Sequence, residues 1–294
     1  KDVMPEFFLE KKKFSHSSCG TYIVNKISAA EIDALAERAE ILLSPNEYKS
    51  AEDAPLIGII LALEGAFYSI DEPYVKAVLN TGANIKFITY AQVEEQVKEV
   101  DGILLIGGCF PSPDAWYVTP QKESTGELPP RSRAYLTAIN YAIAQKMPLF
   151  GVCGGMQMMA GVKGAKLMNI AEDFGYTPLK HRGIDANEYA HDIAIAPGSL
   201  LFHICGTEKA TVNSAHGEAV ASVPEDKIKI SARASDGIIE AIEYIDYAGY
   251  ALGVQWHPER MAIQGERLSR NLYQRLTDEA QKFRTCKKID KHHF

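Results

Sequence analysis

The strongest constraint on the fold is an alternation. Between residues 56 and 152, short apolar runs take turns with stretches of helical period. The runs Leu56–Leu61, Asn84–Ile88, Gly102–Ile106 and Leu149–Val152 have the length and continuity of strands covered on both faces. Helical patterns near 72–81, 91–98 and 131–146 separate them. A β-α-β-α-β-α-β order predicts an α/β fold with an open, mostly parallel central sheet flanked by helices. Beyond about residue 185 the runs Asp192–Ala196, Ala210–Val212, Ile228–Ala232, Ile238–Tyr244 and Ala251–Gln255 read as additional, partly antiparallel strands. A last helix, over roughly 260–283, is expected to close the domain.

Ahead of this pattern, residues 1–20 carry Lys11-Lys12-Lys13 and no periodic face. A helix is predicted from Ile27, where Ser28 and Glu31 form a capping box ahead of Ile32, Leu35, Ala36, Ile41 and Leu42. It should stop at Ser44-Pro45-Asn46, and 44–55 reads as a linker. The chain divides accordingly into an N-terminal extension (1–54), a main domain (55–283) and a basic tail (284–294), with 287–291 expected to be disordered. No repeat or low-complexity tract interrupts it.

Charge narrows the partners. The 294 residues include 31 Lys+Arg against 38 Asp+Glu, a net charge of -7, so no global basic field draws in nucleic acid or an anionic membrane. The longest apolar run, Pro55 to Leu63, has the length of a buried strand and not of a membrane span. Five scattered cysteines (Cys19, Cys109, Cys153, Cys205, Cys286) make no disulfide framework, and their odd count leaves a free thiol. A reducing, cytoplasmic setting is the expectation, although the first residue is Lys1 and a removed targeting segment would leave no trace. No C-x-x-C pair supports a cysteine-based metal site, and His203-Ile204-Cys205 reads as core or strand chemistry.

Chemistry concentrates in three places. Met147-Pro148-Leu149-Phe150-Gly151-Val152-Cys153-Gly154-Gly155-Met156-Gln157 runs from a buried strand through Gly-x-Cys-x-Gly into a helix, the context of a nucleophile elbow. Gly151 and Gly155 leave room on both sides of the tight turn. A helix N-terminus favours the thiolate, the reactive form of Cys153, and aims the N–H of Gly154 at an oxyanion beside the sulfur. Gly253-Val254-Gln255-Trp256-His257-Pro258-Glu259 follows the last strand. If strand geometry lasts that far, His257 and Glu259 project to one side, and a carboxylate beside an imidazole sets its tautomer. The strand Gly102–Ile106 ends in Gly107-Gly108, whose free N–H is a candidate second oxyanion donor at the carboxyl edge of the sheet.

Together and in this order, the elbow, Val212-Asn213-Ser214-Ala215-His216 and Gly253-Val254-Gln255-Trp256-His257-Pro258-Glu259 resemble the class I glutamine amidotransferase superfamily, whose fold is flavodoxin-like. The Asn-Ser-x-His segment and the run from His191 to Leu201 are similar to the γ-glutamyl hydrolase branch, peptidase C26. The likeness covers roughly residues 55–275.

The resemblance implies that Cys153 attacks the carbonyl of a γ-glutamyl amide, His257 carries the proton to the leaving amine and Glu259 orients His257. It maps the oxyanion donors onto Gly154 and the Gly107-Gly108 pair, and glutamyl binding onto Gln157, Asn213, Ser214 and His216. No metal and no organic cofactor is implied. Where the branch has Cys-Arg-Gly and His-His-Gln, this chain has Cys153-Gly154-Gly155 and His216-Gly217-Glu218, a change that bears on which amine leaves. Three functions stay open: a γ-glutamyl amide hydrolase acting on a small molecule, a glutaminase subunit feeding a separate synthetase, and a non-catalytic binding or regulatory protein on the same fold. A homodimer and a protein partner at the N-terminal extension also stay open.

Overall fold

A computed structural model describes residues 47–48, 51–64, 67–108, 112–119, 128–183, 185–245 and 247–291. The helix predicted from Ile27 lies outside the described residues.

The strands in chain order are β1 (Glu47–Tyr48), β2 (Leu56–Ile60), β3 (Ala62–Glu64), β4 (Phe67–Ser69), β5 (Asn84–Ile88), β6 (Gly102–Leu105) and β7 (Leu149–Val152), then β8 (Lys166–Asn169), β9 (His191–Ile195), β10 (Lys209–Val212), β11 (Glu218–Ser222), β12 (Ile228–Ala234), β13 (Ile239–Tyr244) and β14 (Ala251–Val254). The helices are α1 (Glu72–Leu79), α2 (Val93–Glu99), α3 (Pro130–Gln145), α4 (Gly154–Val162), α5 (Leu200–Cys205), α6 (Pro258–Ala262) and α7 (Arg267–Lys291).

Ten of the described strands form one sheet in the order β1-β5-β2-β6-β7-β14-β13-β12-β9-β10. β5, β2, β6, β7 and β14 run parallel, and β13, β12, β9 and β10 extend the sheet with antiparallel pairings. Side-chain alternation splits the core into two layers. Ile57, Ile59, Leu104, Phe150 and Val152 face Tyr74, Val75 and Val78 of α1 and Leu272, Tyr273 and Leu276 of α7. Ile60, Ile103, Leu105 and Leu149 face Ala138 and Ile139 of α3 and Met156 and Met159 of α4. Helices on both faces are why these strands read as unbroken apolar runs. Each such side chain contributes about 1.5–3 kcal/mol by leaving water.

Several expectations need correction. The β3–β4 hairpin and the separate β8–β11 pair were not anticipated, because strands this short carry no period of their own. His203 and Cys205 sit in α5, a helix capped by the Ser199 hydroxyl, and not in a strand, although Cys205 packs in the core as expected while His203 is exposed. The last helix begins later, at Arg267 after the separate turn of α6, and runs through the tail expected to be disordered, to Lys291. Its far end is tied down: Arg284 Nη1 meets Asp101 Oδ2 at 3.1 Å, and Lys287 Nζ donates to the carbonyl of Lys98 at 2.9 Å.

Candidate active site

Sheet order assembles the site. β7 lies between β6 and β14, all three parallel, so their carboxyl ends deliver Cys153, Gly107-Gly108 and His257 to one edge. Cys153 N–H donates to the carbonyl of Val254 at 2.8 Å, which ties the elbow directly to the strand leading to His257.

Cys153 caps α4 at φ 51° and ψ −111°. A non-glycine residue there stores roughly 1–3 kcal/mol of backbone strain. The turn is tight as the glycines require: a Cβ on Gly151 would lie 2.6 Å from Met159 Sδ, and one on Gly155 would run into the carbonyl oxygen of Leu105. Cys153 is 7% exposed. Gly154 occupies the first turn of α4, where N–H groups have no acceptor within the helix.

His257 reaches Glu259 by a route other than strand alternation. β14 ends at Val254, His257 caps α6 and Pro258 opens it, so Glu259 folds back in the first turn. The result is a 2.8 Å contact between His257 Nδ1 and Glu259 Oε1, with Glu259 fully buried. Burial disfavours the imidazolium, but the negative charges of Glu259 and Cys153 outweigh it and carry His257 up to about 10.

The Gly107-Gly108 loop differs from expectation in one respect. Gly107 N–H donates to the Tyr74 hydroxyl at 2.9 Å, and that hydroxyl also lies 3.4 Å from His257 Nδ1. Gly107 is a wall of the site: a Cβ there would sit 2.8 Å from His257 Cε1 and 3.1 Å from Cys153 Cβ. Arg131 Nη2 donates to the carbonyl of Gly107 at 2.7 Å. Across a trans peptide, this turns the Gly108 N–H away from Arg131.

The residues expected to hold the glutamyl group have internal partners. Asn213 accepts from His257 N–H and donates to the His257 carbonyl, both at 2.8 Å, and also donates to Ala186. Ser214 Oγ donates to the carbonyl of His181 at 2.8 Å. Gln157 Nε2 donates to the Glu218 carbonyl at 3.0 Å and to Gln255 Oε1 at 3.2 Å. His216 is buried against the same Glu218 carbonyl through Nδ1 at 3.0 Å. Burial raises the Glu218 carboxyl, which takes a 3.0 Å hydrogen bond from Tyr117.

Tyr74 escaped sequence reasoning because, beside Val75 and Val78 on one buried face of α1, it reads as core. Glu240 did carry a signal, a carboxylate inside the apolar run of β13, where an unpaired charge is prohibitively costly.

A family model described as Peptidase C26 matches residues 55–259. The chain belongs to the peptidase C26 family. This peptidase C26 chain is 29% identical over 222 residues to the gamma-glutamyl-gamma-aminobutyrate hydrolase PuuD of Escherichia coli (strain K12), covering 70% of this chain and 85% of that protein. It is 30% identical over 165 residues to protein NtpR of Enterococcus hirae, covering 55% of this chain and 68% of NtpR. The solved glutamine amidotransferase of Thermotoga maritima shares the fold, with a TM-score of 0.52 at 15% identity over 78% of this chain and 98% of that one. The C26 chain is thus an enzyme of the glutamine amidotransferase-like class.

Proposed function

We propose that this C26 enzyme hydrolyses the amide bond of a small γ-glutamyl compound through a cysteinyl thioester. The observation that carries the reading is Cys153, held on a strained turn, with the His257–Glu259 pair delivered beside it by the neighbouring parallel strand. Cys153 Sγ attacks the γ-carbonyl carbon, and the carbonyl electrons move onto oxygen. The N–H groups of Gly154 and Gly108 hold that oxyanion. His257 Nε2 gives its proton to the leaving amine as the C–N bond breaks, and the thioester remains. His257 then takes a proton from water, which attacks the thioester and releases the γ-carboxylate and the thiolate.

Glu259 holds His257 in the tautomer that turns Nε2 toward the sulfur. Asn213 fixes the backbone of His257, and Tyr74 fixes Gly107, so both act as positioning residues. The relatives named for γ-glutamyl-γ-aminobutyrate hydrolysis support the substrate class. The leaving amine is where Glu218 enters, since its backbone carbonyl accepts from Gln157 while its carboxyl accepts from Tyr117.

The test is amine release from a panel of γ-glutamyl amides, glutamine included, by wild type and Cys153→Ala. Turnover of one or more γ-glutamyl amides by wild type alone is the expected result. Turnover in the alanine variant would overturn it, and release from glutamine alone that rises with an added synthetase would replace it with the glutaminase reading.

A further inference from the structure

A second cluster of chemically potent side chains lies behind the wall that carries Asn213 and His216. His181, His191, His216 and Glu240 come from four separate segments and are all at most 5% exposed. His181 Nε2 meets Asp236 Oδ2 at 2.8 Å; the carboxylate can only accept, so Nε2 holds a proton, and in the neutral ring Nδ1 holds the lone pair. His216 Nδ1 meets the carbonyl of Glu218, which likewise only accepts, so Nε2 holds the lone pair.

Those two lone pairs face each other across 3.3 Å, and each lies 3.5 Å from the same carboxylate oxygen, Glu240 Oε1. Three acceptors drawn together in a dry interior repel unless something positive lies between them. The triangle has the dimensions of a coordination face. Four ligands placed tetrahedrally at the usual zinc distances of about 2.0–2.1 Å are separated by about 3.3–3.4 Å. His191 Nε2 hydrogen-bonds the same Glu240 Oε1 at 3.0 Å, a bond it gives up to a metal when it ligates one, and one ligand atom from each of His181, His191 and Glu240 falls within 4.8 Å of the others. A separate observation points the same way: Glu240 is 0% exposed and its Oε2 has no hydrogen-bond partner among the described residues.

We infer that His181, His191, His216 and Glu240 form a buried site for one divalent transition metal, with zinc the best fit to three imidazoles and a carboxylate. For His181 and His216 the surroundings follow the usual build of such sites, in which the remote nitrogen of a ligating imidazole donates to a carboxylate or carbonyl; His191 Nδ1 has no such partner among the described residues. Asp236 plays that part for His181, and it is itself held by the Thr177 hydroxyl and the Ile238 N–H. Four protein ligands with no open position mark the metal as structural. It would join the segment at His181, β9, the loop after β10 and β13, and so stiffen the loop whose Asn213 grips His257. No sequence spacing announces the set, because its members are scattered between residues 181 and 240.

The full chain, purified without chelator, is expected to carry about one equivalent of zinc by elemental analysis. After chelator treatment, cobalt should restore one equivalent with the intense visible absorption of a tetrahedral site. Asp236→Asn should weaken zinc affinity by about 10–100-fold, Glu240→Gln should abolish tight binding, and Cys153→Ala should bind as wild type does. The readout is independent of turnover, so it stands whether or not the proposed hydrolysis does. Wild type that takes up neither zinc nor cobalt, and whose melting temperature is indifferent to chelator, would show a proton-shared histidine cluster and overturn the inference. So would stoichiometric cobalt binding that survives both Glu240→Gln and His181→Gln.

Discussion

Asn213 grips the backbone of His257 from both sides: its side-chain oxygen accepts the His257 N–H and its amide nitrogen donates to the His257 carbonyl, each at 2.8 Å. Residues far apart in sequence are thereby locked in register just beyond the end of β14, where the chain carries the His257 imidazole. Because the amide is spent on this clamp, Asn213→Ala is expected to lower kcat by about 100-fold, the scale of a misplacement near 1 Å, with KM little changed. Steady-state kinetics on the best γ-glutamyl amide checks this; a raised KM with intact kcat would return Asn213 to a substrate-binding role.

Glu259 sets a pH limit. Burial opposes the charged form of His257, but the charges of Glu259 and Cys153 raise it to about 10. The imidazolium therefore persists through neutral pH, and acylation should lose its proton donor only as the pH rises through about 10. Glu259→Gln removes one of the charges that raise it, so the alkaline limb of the pH–rate profile should move down toward neutrality. Linkage has the same sign. A folded-state value above the ordinary value of about 6.5 adds stability that is complete below about 6.5 and lost as pH rises toward 10. Melting temperatures of wild type should fall over that interval more steeply than those of the glutamine variant.

The elbow tolerates no added carbon at Gly155, where a Cβ would meet the Leu105 carbonyl oxygen and Cβ. Gly155→Ala should cost about 1–3 kcal/mol of stability by overpacking, visible as a lower urea midpoint. Gly82→Ala is a useful contrast: no atom lies within 4 Å of the added carbon, and its φ of +81° makes the penalty one of backbone strain alone.

Much of this arrangement was legible beforehand, and the reason differs from element to element. β5 and β7 read true to the residue because strands buried on both faces must be apolar throughout. Cys153 was legible because a strained turn needs its glycines next to it in sequence. His257 and Glu259 were legible as a pair, but their geometry was not: Pro258 starts a helix where alternation would have continued the strand. Asn213 and Gly107 were read as groups facing a ligand, whereas long-range partners, His257 and Tyr74, already engage them. The histidine cluster was invisible for the same reason, since only the tertiary fold brings His181 to Glu240.

Tyr74 is the partner that keeps the Gly107 N–H occupied. Tyr74→Phe leaves that donor without its acceptor in a nearly dry site, and a loss of about 1–3 kcal/mol is expected. Urea unfolding measures it directly, and an unchanged midpoint would show that water or the loop itself replaces the hydroxyl.

The most direct test of the account is whether Cys153 is the nucleophile. Wild type and Cys153→Ala are incubated with the glutamine analogue 6-diazo-5-oxo-norleucine and weighed intact by mass spectrometry. One adduct on wild type, none on the variant and identical circular dichroism for both is the result the account predicts. An adduct on the alanine variant, or an unlabelled wild type that still releases amine from a γ-glutamyl amide, would contradict it.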